Sequence, residues 1–92
     1  MIVQIKVFIQ PTLSPCAREA ITRMYYEAKR NIENEYTNVE IEMMFWLANS
    51  AEARRLGVYQ VGTLFIEAKN VLDGYHNRCD IERELSKRAR AN

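Results

Sequence analysis

Val3, Ile5, Val7 and Ile9 alternate with Gln4, Lys6, Phe8 and Gln10, the period-two pattern of a strand with one buried face. After a loop from Pro11 to Pro15 the period changes. Ala17, Ala20, Ile21, Met24, Ala28 and Ile32 recur at steps of three and four, which predicts an amphipathic helix of about five turns ending near Asn34. Arg18, Arg23, Glu27, Lys29 and Arg30 fall on its other side and read as a solvated face. Val39, Ile41, Met43 and Phe45 alternate with Glu40, Glu42 and Met44, a second strand. Asn49 or Ser50 is placed to cap a short helix over 51–56, and Gly57 to end it in a left-handed conformation. Val61 to Ile66 is a third, strongly apolar strand. Lys69-Asn70 reads as a two-residue turn into a fourth strand, Val71 to Asp73, closed by Gly74. Ile81, Leu85 and Ala89 stack on one side of a last helix beginning between Asn77 and Asp80.

The order is therefore β-α-β-α-β-β-α. Long crossovers in the first half imply parallel strands joined in the right-handed sense. A two-residue link between the last two strands implies an antiparallel hairpin. The expected architecture is an α/β fold with a four-stranded mixed sheet and helices on both faces. No repeat, linker or low-complexity stretch divides the chain, so residues 1–92 read as one domain.

Composition narrows the classes. With 92 residues and 48% apolar content, most aliphatic side chains are needed for a single small core. A formal charge of +1 gives no global argument for nucleic acid or acidic partners. No apolar run approaches the ~20 residues that span a bilayer. The first residues form a charged strand rather than a leader, which makes the cytoplasm the expected location. Two cysteines, at 16 and 79, are too few for a disulfide scaffold and match no zinc spacing, so neither a structural metal nor another bound metal is expected.

The chemistry concentrates where the first strand runs into the first helix. Ser14 is a good N-cap and Pro15 suits the first helical position, so Cys16 falls at about the second. Free N–H groups and the positive end of the helix dipole at that place favour a thiolate. The alternative reading is that Cys16 is a small hydrophobe buried at the helix start. Leu13 stands three residues before it, where a dithiol motif would need a second cysteine. Cys79 reads as inert packing or as a second thiol, and His76 as a residue of a polar surface loop. Tyr25, Tyr26, Tyr59 and Tyr75 are candidates for partial exposure. The run Met43-Met44-Phe45-Trp46 is too large to bury on one side of a thin sheet, and marks a candidate partner or dimer surface.

The element order, with Ser14-Pro15-Cys16 opening the long helix, resembles the thioredoxin and glutaredoxin superfamily in its minimal single-domain form. Gly57-Val-Tyr-Gln-Val-Gly-Thr-Leu-Phe-Ile66 followed by Val71-Leu-Asp-Gly74 is similar to the family's third strand and hairpin. The family's Cys-x-x-Cys appears here as Leu13-Ser14-Pro15-Cys16, and its cis-proline before the threonine as Gly62 before Thr63. The resemblance implies an active-site loop and groove made by Thr12, Leu13, Ser14, Pro15, Gly62, Thr63 and Gly74, with Cys16 as the single nucleophile. The function implied is a monothiol protein that forms mixed disulfides with a protein or small thiol, without the dithiol mechanism. The alternative is a non-catalytic, protein-binding module using the groove around Leu13 and Gly62-Thr63. Arg78-Cys-Asp-Ile81 is also similar to the stretch with which glutaredoxins hold glutathione, and this makes glutathione the one candidate cofactor.

Overall fold

The computed structural model describes residues 1–58, 63–67, 69–74 and 76–90. The elements are β1 (Ile2–Ile9), α1 (Pro15–Glu35), β2 (Glu40–Leu47), α2 (Ala51–Leu56), β3 (Leu64–Ile66), β4 (Lys69–Leu72) and α3 (Arg78–Arg90). They form an α/β fold with one four-stranded sheet in the order β2-β1-β3-β4. β1 and β2 are parallel, from Ile2 opposite Glu40 to Ile9 opposite Leu47. β3 is antiparallel to both β1 and β4. The expected mixed sheet is present.

Local chemistry accounts for most boundaries. Ser14 keeps an extended backbone and its hydroxyl accepts from the Ala17 N–H at 3.2 Å, while Pro15 takes the first helical position of α1. Ser50 caps α2 in the same way, and Gly57, at φ 70°, ends it in the left-handed region a β-carbon would disfavour. Asn77 and Asp80 cap α3 reciprocally: each backbone N–H donates to the other's side chain, at 2.9 and 3.1 Å. That Asn77 N–H also holds the Asp80 carboxyl below its ordinary range.

The last hairpin differs from the sequence reading. Lys69 and Asn70 lie in β4, paired with Ile66 and Phe65, so the chain leaves β3 at Glu67 rather than turning at 69–70. Glu67 takes φ 51°, and its N–H is held by the Gln4 carbonyl at 2.7 Å, which fixes the turn two residues early. The expected strand start at Val61 and the peptide before Gly62 lie outside the described residues.

Strand alternation sorts the core onto two faces. Val3, Ile5, Val7, Ile41, Leu64 and Ile66 point to one side, where α1 supplies Tyr25, Ala28 and Ile32 and α3 supplies Ile81, Leu85 and Ala89. α1 and α3 lie side by side in the same direction. Tyr25 meets His76, Glu27 meets Arg78 and Asn31 meets Glu82, three pairs with one constant separation of 51 residues. On the other face Phe8 and Phe65 pack edge to face, with centroids 5.7 Å apart, under Ala53 of α2. α2 covers only that end. Nearer the start of β1, Ile2, Gln4, Lys6, Glu42 and Glu67 line an open depression of about 410 Å³.

Candidate functional site

The β1–α1 loop brings Thr12, Leu13, Ser14, Pro15 and Cys16 together by chain continuity. Its turn is closed by the Leu13 N–H donating to the Gln10 carbonyl at 3.4 Å. Cys16 is the second residue of α1, and its thiol is free and exposed. Burial as a small hydrophobe is therefore overturned for Cys16, and equally for Cys79, which is also free and exposed. The first turn of α1 carries no acidic residue, so no side-chain carboxylate within it offsets the positive end of the helix dipole beside Cys16. The two thiols are not brought together. α3 meets α1 at Glu27 and Asn31, beginning eleven residues, on the order of 16 Å along the axis, beyond Cys16.

A shallow groove of about 600 Å³ begins at Leu13 and Pro15 and continues along one side of α1, past Arg18, Glu19, Thr22 and Arg23 to Tyr26. The spacing 15, 19, 22, 26 puts these residues on one helical face, and Cys16 lies about 100° around from Pro15. Arg23 and Glu19 pair at 2.8 Å within it, and Tyr26 is half exposed, its ring tilted against Phe45. Arg18 and Arg23, which read in the sequence as part of a solvated face, line this groove.

The opposite wall expected from Gly62 and Thr63 is only partly within view, since Gly62 lies outside the described residues. Thr63 is fully buried. Its carbonyl accepts from the Phe8 N–H at 3.1 Å and its hydroxyl donates to Asp73 at 3.4 Å, which ties the end of β1 to the end of β4. Gly74 adopts φ 76° and its carbonyl accepts from His76 Nδ1 at 2.9 Å.

His76 lies in a loop and is half-buried, whereas the reading of Tyr25 as partly exposed is corrected. Tyr25 is 1% exposed, packed edge to face on both Phe45 and His76, and its hydroxyl bonds His76 Nε2. Because Gly74 offers only an acceptor, the ring proton sits on Nδ1 and Nε2 accepts from the phenol. Burial lowers the His76 pKa, opposed in part by the Gly74 bond and the charge of Asp80; burial raises that of Tyr25 well above the phenol's ordinary range. The pair is thus a neutral, satisfied link between α1 and the turn before α3. Nothing local in the sequence could have joined two residues 51 positions apart. Tyr59 and Tyr75 lie outside the described residues.

Among the described residues no group of three or more His, Cys, Asp or Glu side chains could hold a metal ion, and no helix is long and apolar enough to cross a membrane. No protein-family model matches the chain, and a search of curated proteins gave no match.

Proposed function

We propose that the chain is a thioredoxin-like monothiol protein in which Cys16 exchanges disulfides with a protein or small-thiol partner. The observation that carries this reading is a free, exposed thiol at the second residue of a Ser14-capped helix with no acid in its first turn. The sheet order β2-β1-β3-β4, with a parallel first pair and an antiparallel second, supports the family resemblance on which the reading leans.

In the forward step the Cys16 thiolate attacks one sulfur of a partner disulfide. A new S–S bond forms to Cys16, the old one breaks, and the leaving thiolate takes a proton from water. With Leu13 in place of a second thiol, an external thiolate then attacks the mixed disulfide and releases Cys16. Ser14 and the free N–H groups at the helix start stabilise the thiolate, which is the attacking form of the sulfur.

The test is recovery of a mixed disulfide on Cys16 after incubation with glutathione disulfide, in a Cys79→Ala background. A reductant-sensitive adduct that is absent from the Cys16→Ser variant is expected. Failure of Cys16 to form any adduct sinks the redox reading.

The groove from Leu13 to Tyr26 favours a second reading, a non-catalytic module that docks a peptide along α1. Partner capture separates the two: Cys16→Ser abolishes capture under the thiol reading and leaves it unchanged under the docking one.

A further inference from the structure

β2 is an edge strand, and its free side is unusually well defined. The even residues of β2 bond β1: the Glu40 N–H donates to the Met1 carbonyl, and the Ala48 N–H just beyond the strand donates to the Ile9 carbonyl. The N–H and C=O groups of Ile41, Met43, Phe45 and Leu47 therefore point outward. Two of these eight are already satisfied. The Ile41 N–H donates to Glu33 Oε2 at 2.8 Å, a carboxylate also held by Lys29, and the Leu47 carbonyl accepts from the Ser50 N–H at 3.0 Å. What remains open among the described residues is three donors (Met43, Phe45 and Leu47) and three acceptors (Ile41, Met43 and Phe45).

We propose that this edge pairs antiparallel with the same edge of a second copy, about a two-fold axis between the two Met44 residues, so that the sheet continues across the dimer. In that register Met43 faces Phe45 of the second copy and Ile41 faces Leu47, as hydrogen-bonded pairs. Every open donor then meets an open acceptor. The one bond such a ladder would lack, Ile41 N–H to the Leu47 carbonyl of the other copy, joins the two groups that are already satisfied within each chain. A two-fold operation makes that match by itself, which is why the occupant is a second copy rather than an unrelated strand.

Side chains agree with the register. On the α1 side the cross-strand pairs are all apolar. On the other side Met44 meets itself and Glu42 meets Trp46, so no carboxylate faces another. Trp46 and Leu47, 37% and 39% exposed, gain cover. A register centred one residue later, on Phe45, pairs Met43 with Leu47 and needs the occupied Leu47 carbonyl twice.

The experiment uses the full chain with Cys16→Ser and Cys79→Ser, which removes the proposed thiol chemistry and makes the outcome independent of it. Sedimentation equilibrium should show a reversible dimer. Met44→Cys should oxidise to a covalent dimer at least tenfold faster than Trp46→Cys, because the axis brings the two residues at 44 to about 4.5 Å and leaves those at 46 roughly 14 Å apart. Met44→Lys, a half-exposed position, should weaken the dimer at least tenfold while the circular dichroism of the monomer stays unchanged. A chain that sediments as a monomer up to about 1 mM overturns the proposal. So does a dimer whose Met44→Cys and Trp46→Cys forms cross-link equally, or one that Met44→Lys leaves intact.

Discussion

The two faces of the sheet are built from the same strands and have opposite characters. Toward α1 and α3, β1 presents Val3, Ile5, Val7 and Ile9, all buried; toward the other side it presents Ile2, Gln4, Lys6 and Phe8, of which only Phe8 is buried. The reason is coverage. Two helices of 21 and 13 residues lie over the first face, whereas α2, with six, lays its apolar side on Phe8 and Phe65 at one end. Alternation thus decides which residues share a face, and helix length decides how much of that face becomes core. The uncovered part is held by polar contacts instead: Gln4 donates to Glu42 at 3.2 Å, and Lys6 lies 3.6 Å from Glu52, which also binds Arg55.

The comparison is broken most directly on the covered face. Ile5→Ala, at a side chain with no exposure, should destabilise by about 3 kcal/mol in urea unfolding with an unchanged m-value. A loss under about 1 kcal/mol would mean that the face under α1 and α3 is not the dominant core. Next comes the polar link within that face. Tyr25→Phe removes the donor from the half-buried His76 Nε2 and should cost about 1 kcal/mol.

The same link sets a pH dependence. A histidine whose folded pKa is lowered binds fewer protons than its unfolded counterpart near 6.5, so stability is complete above that value and falls as pH drops below it. Asp80 carries a charge facing His76 and limits the effect. Unfolding midpoints from pH 8 to pH 5 should show the decline, and His76→Gln should flatten it. A decline of equal slope in His76→Gln would assign it elsewhere.

Ser14→Ala removes the α1 cap and should cost about 1 kcal/mol, read by thermal melting. The smallest effect belongs to the open face. Gln4→Ala should stay within about 0.5 kcal/mol of wild type, and a larger loss would show that the polar depression contributes more than its exposure suggests.

Where local chemistry sets a boundary, the residues announced it: Ser14-Pro15 before α1, Gly57 after α2 and Asn77 before α3 all stand where their side chains or dihedrals require. The hairpin was misplaced because Lys69-Asn70 looks like a turn, while the Gln4 carbonyl on a neighbouring strand fixes the turn at Glu67. Tyr25 was misassigned for a similar reason. Its phenol sits in the core with its hydroxyl satisfied by His76, far along the chain. Leu13 to Cys16 was legible as a unit, since those residues are contiguous. The groove running on to Tyr26 was not, because whether one helical face is covered depends on its neighbours.

The constant separation of 51 between residues of α1 and those facing them in α3 and the turn before it bears on the order in which the chain assembles. Each helix turn can form locally, but all three of these pairs require the intervening strands to be in place, and long closures delay contact formation. On that argument the α1–α3 seam closes late, and destabilising it should accelerate unfolding more than it slows folding.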